Sequence, residues 1–567
     1  MTRRSIILLI LIVCSGFLLR VWKVDEIPSG VNRDEASLGY TAYSILKTGR
    51  DEYGVLFPLS IKSFGDWKLP LYVYLDIIPV KLFSLNEFSV RLPSVFFGTL
   101  TIFVFYFLIL ELMGRHSHKK TIALAGAFFL SVSPWHIHFS RVASEANIAV
   151  FLVSFSFYLF LKGIKNNFLL AVSAVVLALS LYTYHGNHIF TPLFFIILVC
   201  KLIHFRKDKK TIGVFILPFI ILATLIFTQT VFSADKTKIS GLLTTSDTYL
   251  VYDKVNLSRL EHDDVTSVST KAFHNKIDLF LENFIYGYIK GFSPEFLFIK
   301  GGGNLQHNIP DFGNLYILES VFIILGIYFL FARSYQWRWL LLLWLLIAPL
   351  PAAITRDAPH SARMLAILPL PYLLSAIGFV EIISWVKPKR ILKVFTVLLV
   401  ILFSISISVY LDRYFVHFPL KSEFAWGGGY KKLVKEVGAI SNQYNEILMD
   451  RPDYSPYVYF LFYMQTDPQT FQREAVRYPE DNEGFQHVKA FQNITFKKID
   501  WVHDTALPNS SNEKKLLVSW AESTSVGLNL GDRREIRLIK KIHLKNGSPQ
   551  FYLIELNNLI RGDSNNE

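Results

Sequence analysis

Runs of about 18 or more apolar residues recur through the first 411 positions, and no other feature constrains the fold so strongly. Of the 567 residues 52% are hydrophobic and only 18% charged, against roughly 45–50% and about 25% in soluble domains. This excludes a soluble multidomain enzyme, a disordered chain and a secreted disulfide scaffold. The two cysteines, Cys14 and Cys200, both fall inside apolar runs, where a disulfide is not expected. The chain reads as a multi-pass membrane protein.

Eleven spans are expected, at about 5–22, 92–112, 121–139, 146–162, 168–184, 188–204, 212–232, 315–332, 338–354, 365–386 and 392–411. The run after Arg3 and Arg4 has no small-residue cleavage site behind it but Arg20-Val-Trp-Lys23, so it reads as a retained helix. The apolar stretch 70–83 is too short to span and reads as an interfacial helix. With eleven spans, the basic clusters Arg3–Arg4, Arg115–Lys120, Lys162/Lys165, Arg206–Lys210, Arg333/Arg338 and Lys387–Arg390 all fall on one side. The positive-inside rule makes that side the cytoplasm and places the amino terminus there. The net charge of +13 therefore reflects topology rather than nucleic-acid binding. From 412 onward charge rises and continuous apolar runs end. A transmembrane domain (1–411) and an extracytoplasmic α/β domain (412–567) are the expected division. In the latter, Lys431–Ile440 predicts an amphipathic helix and Glu446–Met449 a strand. Tyr457–Tyr463 predicts a buried helix or strand, and Ile536–Leu556 a hairpin around Asn546-Gly547.

The unusual polar residues gather in the loops of the outer side. Asp34 and Glu35 precede an amphipathic stretch, Ala36 to Leu46, and Lys68 follows in the same loop. Glu145 lies in the second outer loop, His185 and His188 in the third, Asn304 and His307 late in the fourth, and Arg356, His360 and Arg363 in the fifth. Ionisable groups close to membrane helices are costly and tend to mark functional pathways. Each also has a plainer reading. Asp34 and Glu35 suit a helix start, Lys68 an interfacial snorkelling lysine, and Glu145 a partner for Arg141 one turn away. The two histidines suit an interface, the arginines lipid phosphates, and the triple glycines at 301–303 and 427–429 loop punctuation.

Taken together the set suits one chemistry. A carboxylate can serve as general base on an acceptor hydroxyl, while lysine and arginine hold and neutralise a phosphate leaving group. Arg33-Asp34-Glu35-Ala36, then Lys68-Leu69-Pro70-Leu71-Tyr72, then Asn86-Glu87-Phe88-Ser89-Val90-Arg91-Leu92-Pro93-Ser94 resemble, in order and spacing, the opening of the GT-C glycosyltransferases. The likeness is greatest to bacterial relatives of the dolichyl-phosphate-mannose protein mannosyltransferases and to the lipid A aminoarabinose transferases. It implies a polytopic α-helical GT-C fold. It implies Asp34 as catalytic acid/base with Glu35 beside it, and Lys68, Arg356, His360 and Arg363 at the donor phosphate. Glu145, His185, Asn304 and His307 are then expected to bind substrate. Leu69 stands where the family motif has its first proline, which removes one fixed φ beside Lys68; Gln306 stands where an arginine is expected.

The resemblance implies an inverting transferase. It would pass a sugar from a polyprenyl-phosphate donor to a glycan, lipid or protein acceptor outside the membrane. No nucleotide, nucleic acid or metal is called for. Asp34, Glu35, Glu145 and His360 offer oxygen and imidazole ligands without a spacing that demands a divalent ion, which leaves metal an alternative rather than an expectation. The competing function is a transporter or flippase of a lipid-linked or anionic solute. That reading predicts mid-span charges and broken helices in related halves, and neither is found.

Overall fold

The computed structural model describes residues 3–232, 248–386, 388–481, 485–501, 503–504, 514–524 and 536–557. In chain order its first helices are α1 (Arg3–Val21), α2 (Arg33–Thr48), α3 (Pro70–Phe83), α4 (Glu87–Met113), α5 (Lys119–Ser131), α6 (Pro134–Ser140), α7 (Glu145–Gly163), α8 (Asn167–Leu179), α9 (Asn187–His204) and α10 (Lys209–Phe232). The strands β1 (Ile61–Ser63) and β2 (Asp66–Lys68) stand between α2 and α3. Two compact units result: Met1–Trp22 with Arg91–Tyr414, and Lys23–Val90 with Phe415–Glu567. This differs from the division expected at 411/412, because residues Lys23–Val90 join the carboxy-terminal unit.

The first unit is helical. Seven described helices are long and apolar enough to cross a membrane: α1, α4, α7, α9, α10 as far as Gln229, and those at Leu365–Trp385 and Lys389–Lys421. α5 and α6, bent by 58°, form an eighth if they count as one span. The bend has a local cause: Pro134 opens α6 at a position that needs no N–H, and Ser133 caps it by accepting from His136 N. Shorter apolar helices at Asn167–Tyr182, Ile317–Ala332 and Arg338–Ala353 occupy the remaining positions where spans were expected. The chain is a multi-pass membrane protein. Glycine sets the closest helix approach: a Cβ on Gly326 would meet Leu374 O at 2.0 Å, and one on Gly378 would meet Phe322 O at 2.1 Å. Arg20, in the last turn of α1, is fully buried and gives its guanidinium to Gly16 O, Ser131 O and Leu130 O. A cation at the carbonyls that end α5 is well placed electrostatically.

The second unit is an α/β body. Its seven-stranded sheet has the order β4-β5-β6-β3-β7-β9-β8, with β3 at Glu446–Met449, β4 at Val476–Arg477, β5 at Val488–Phe491, β6 at Ile494–Phe496, β7 at Lys514–Trp520, β8 at Ile536–His543 and β9 at Pro549–Asn557. β3 runs parallel to β6 and β7, and the remaining pairs are antiparallel. Leu448, Leu517, Ile536, Ile554 and Leu556 form a core cluster on it with Ile499. The expected amphipathic helix is Gly428–Ile440, burying Tyr430, Leu433, Val434 and Val437 at helical spacing. The expected hairpin is β8–β9, with Gly547 at φ +84° in its turn. Tyr457–Tyr463 is a helix, and every residue from Tyr457 to Phe462 is buried.

That helix explains why the first loop belongs here. α2 packs between α3 and Tyr457–Tyr463, so Glu35 through Ala42 are all buried. The amphipathic reading of Ala36–Leu46 thus gives way to a helix enclosed on several faces. Hydrogen bonds join the two segments: Tyr40 Oη to Thr466 O at 3.2 Å, Gln472 Nε2 to Asp51 O at 2.8 Å, and Arg477 to Glu52 O at 2.9 Å.

Candidate functional site

The first cluster is built by α2 and the β1–β2 hairpin. Asn32 caps α2, its side chain accepting from Glu35 N at 2.8 Å. The cap is therefore filled without Asp34, which is the second residue of the helix. Its side chain is 53% exposed and takes a hydrogen bond from Lys68 Nζ at 2.6 Å. Lys68 itself is 4% exposed, so it is buried and paired rather than snorkelling. Asp66 Oδ2 lies 4.0 Å from the same ammonium. Leu69, in place of the family's proline, takes φ −79° and ψ 148° as the cap of α3, close to what proline would impose, and Pro70 begins the helix. A proline at 69 would suit the same backbone. The Phe64 ring is a floor for both cations, with the Arg33 guanidinium 4.5 Å and Lys68 Nζ 5.2 Å from its centroid.

Beside this pair lie groups that the sequence did not single out. Asp76, on α3, is fully buried, and neither carboxylate oxygen has a hydrogen-bond partner among the described residues. Burial, and after it the charge of Glu35, pushes its carboxyl well above the usual range. Its signal was a lone acid in the apolar stretch 70–83. Tyr459 is pushed up by burial, with Arg33 opposing and the charges of Asp34 and Glu35 adding. The Asn86–Ser89 part of the family motif is a reciprocal cap on α4: Asn86 Oδ1 accepts from Ser89 N at 3.0 Å, and Ser89 Oγ from Asn86 N at 3.1 Å.

The second cluster belongs to the loops of the helical unit. Arg363 donates to Thr355 Oγ1 at 2.7 Å and lies 3.6 Å from Asp357 Oδ2. It also hydrogen-bonds Tyr184, whose phenol burial pushes up to about 12, with Arg363 opposing and the charge of Glu145 adding. Glu145 opens α7 behind the cap Ser144. His307 and His360 bring their rings to 4.6 Å, and His307 stacks on Phe139 at 6.0 Å. Withdrawal from water, then His307 and Arg363, holds His360 well below the usual histidine range. Asn308 joins two loops, accepting from Gly302 N at 2.8 Å and from Ser361 Oγ at 2.5 Å. The His185 ring faces His188 at 5.4 Å, Asn304 Oδ1 accepts from Gln306 N at 2.8 Å, and Arg356 is exposed. A cavity of about 580 Å³ is lined by Lys290, Lys300, Gly301–Gly303, Asn308 and Asp357. No group of three or more His, Cys, Asp or Glu positioned for a metal occurs among the described residues.

Residues 68–228 match the family of dolichyl-phosphate-mannose-protein mannosyltransferases. No curated protein matches the chain by sequence. Among solved structures, ArnT from Cupriavidus metallidurans is similar at a TM-score of 0.52 and 11% identity, over 97% of this chain and 98% of that one. The oligosaccharyltransferase of Archaeoglobus fulgidus is similar at 0.50 and 12% identity, over 91% of this chain and 69% of that one. In its complex with an inhibitory peptide and a dolichol-phosphate, the Archaeoglobus fulgidus enzyme AglB is similar at 0.48 and 12% identity, with 81% of this chain spanning 64% of that one. The likeness to ArnT is one of fold, and the match to the mannosyltransferase family covers residues 68–228 of the chain.

Proposed function

We propose that this protein is an integral-membrane inverting glycosyltransferase that takes its sugar from a polyprenyl-phosphate donor. The observation that carries this reading is the Lys68–Asp34 pair, an accessible carboxylate held at 2.6 Å by a buried ammonium. It is supported by the matched family and by a fold shared with ArnT, which was captured with undecaprenyl phosphate. Asp34 takes the proton of the acceptor hydroxyl as its oxygen attacks the anomeric carbon. The bond from that carbon to the phosphate oxygen breaks on the opposite face, and the configuration inverts. Charge grows on the departing lipid phosphate, where Lys68, Arg363, Arg356 and His360 are proposed to meet it. Lys68 then has two partners in turn: Asp34 at rest, the phosphate in the reaction. Glu145, His185, Asn304 and His307 are proposed to contact substrate. The acceptor is proposed to be a glycan, a lipid or a protein; a tethered acceptor peptide is present in the archaeal oligosaccharyltransferase of like fold.

The amino terminus is proposed to be cytoplasmic and the α/β unit extracytoplasmic, on the alternation of basic loops. A membrane-impermeant thiol reagent should then reach a cysteine at Ser441 in intact cells and miss one at Lys209. Incubating the purified protein with a radiolabelled polyprenyl-phosphate sugar and an acceptor peptide or glycan tests the activity itself. Transfer that is lost in Asp34→Asn supports it, whereas movement of the lipid across a vesicle without transfer would point to the transporter reading.

A further inference from the structure

The β1–β2 hairpin turns on Phe64 and Gly65, at φ +42° and φ +86°. Positive φ at both positions is what a two-residue hairpin turn requires, yet a bulky side chain disfavours it at the first. Such a conformation persists where its surroundings over-determine it, and here they do. Tyr457 Oη accepts from Phe64 N at 2.9 Å and donates to Glu52 Oε1 at 2.8 Å. Glu52 accepts further bonds from Phe64 N at 3.2 Å and Ser63 Oγ at 3.0 Å. On the other side of the turn Phe64 O accepts from Gln486 N at 3.2 Å, and the Phe485 ring stacks on Phe64 at 6.4 Å. Gly65 is pressed so closely that a Cβ would lie 2.2 Å from Gln486 N. Glu52, Ser63, Phe64 and Tyr457 are all buried.

The turn is thus clasped by residues of the carboxy-terminal segment and by Glu52, and the hairpin it closes carries Lys68, the partner of Asp34. Lys68 pairs with Ile61 across the hairpin, and its ammonium rests on the Phe64 ring. We propose that Glu52 and Tyr457 are positioning residues for Lys68, and that the carboxy-terminal segment serves to hold the Asp34–Lys68 pair in its reacting geometry. The catalytic value of that geometry rests on the glycosyltransferase reading; the clasp itself does not. Neither residue touches Asp34 in the contacts described above. They act through the Phe64 backbone and ring.

Tyr457→Phe removes one hydroxyl and almost no volume, and Glu52→Gln keeps shape while weakening the acceptor. In the full-length protein in nanodiscs, acylation of Lys68 by an amine-reactive probe, followed by mass spectrometry, reports the clasp without reference to activity. Each variant should raise the Lys68 rate relative to Lys540 roughly fivefold or more, the size expected for losing a buried hydrogen bond. Transfer should fall by a similar factor in kcat/KM for the polyprenyl-phosphate sugar, with KM for the acceptor unmoved. In a Lys68→Ala background Tyr457→Phe should have no further effect, because a residue that acts through Lys68 cannot add to its loss. Unchanged Lys68 protection in both variants, or full additivity with Lys68→Ala, would overturn the proposal. A wild-type protein that transfers no sugar, with Lys68 unmasked in the variants, would leave the clasp standing and remove the glycosyltransferase reading instead.

Discussion

The two clusters of polar residues are held by different kinds of structure. Asp34 stands in the first turn of a capped helix and Lys68 at the end of a strand, on a turn fixed from both sides. Arg363 and His360 lie in a loop tied to itself through the Thr355 hydroxyl and to another loop through an asparagine that also binds a glycine backbone and through a histidine ring. Regular elements place a group to within a fraction of an ångström, whereas loops tolerate change and adapt to what binds. Chemistry that needs a fixed proton acceptor belongs in the first environment. Recognition of a lipid phosphate of variable approach suits the second.

The largest effect should come from Asp34→Asn. Asparagine retains size and most hydrogen bonding but cannot accept the proton or balance Lys68. Turnover should fall roughly 10²- to 10⁴-fold while the protein still folds, because Asn32 and not Asp34 caps α2. A transfer rate within threefold of wild type would break the assignment of the base to the rigid cluster. Glu35→Gln should cost less, since Glu35 is buried and the accessible carboxylate is Asp34.

Next come Lys68→Ala and Arg363→Ala, which compare the clusters directly. A charge-assisted bond to phosphate contributes on the order of 1.5–3 kcal/mol, so donor affinity should drop about ten- to hundredfold in each. The two should differ under conservative exchange. Lys68→Arg should rescue poorly, because a planar fork must fit a buried site shaped for a point charge against Phe64. Arg363→Lys should retain more, since its loop can shift. Equal rescue at both positions, measured as the dissociation constant for undecaprenyl phosphate, would erase the contrast.

Much of this was legible in the chain, for physical reasons that differ by level. Hydropathy marks where helices must lie because the membrane demands it, so the expected spans and the observed apolar helices coincide, although Asn167–Tyr182, Ile317–Ala332 and Arg338–Ala353 are short. Asn546-Gly547 marks its hairpin because few residues accept positive φ. The grouping of Lys23–Val90 with the carboxy-terminal segment was not legible, since it rests on contacts such as Tyr457–Glu52 across 405 positions that no local pattern encodes. Asp76 was visible only as an oddity, an acid in an apolar helix. Its isolation needed coordinates.

Asp76 gives a smaller effect within the rigid cluster. A buried carboxyl without a partner costs about 1–3 kcal/mol, and its neutral form is favoured by burial and by Glu35. Replacing it by the near-isosteric leucine should raise the denaturation midpoint of the α/β unit. A lower midpoint would mean that the orphaned oxygens meet a partner essential to folding. Greater stability with lost transfer would mean that the rigid cluster includes Asp76.

The smallest effect should distinguish the loop cluster by pH. His360 is held well below the ordinary histidine value by withdrawal from water and by His307 and Arg363. Its folded-state affinity for a proton is therefore lower than in the unfolded chain, where it titrates near 6.5. Above about pH 6.5 both states are neutral and the contribution is fully present. As pH falls below that value the unfolded chain gains protons first, and stability declines until the folded-state value is passed. The loss amounts to about 1.4 kcal/mol for each unit by which the value is depressed. His360→Gln removes the titration while keeping polarity, so the acid-side decline in melting temperature between about pH 6.5 and 5 should flatten in that variant. Asp34→Asn, in the other cluster, should leave the part of the slope that His360 carries unchanged. A slope unchanged in His360→Gln would assign the acid sensitivity to another group.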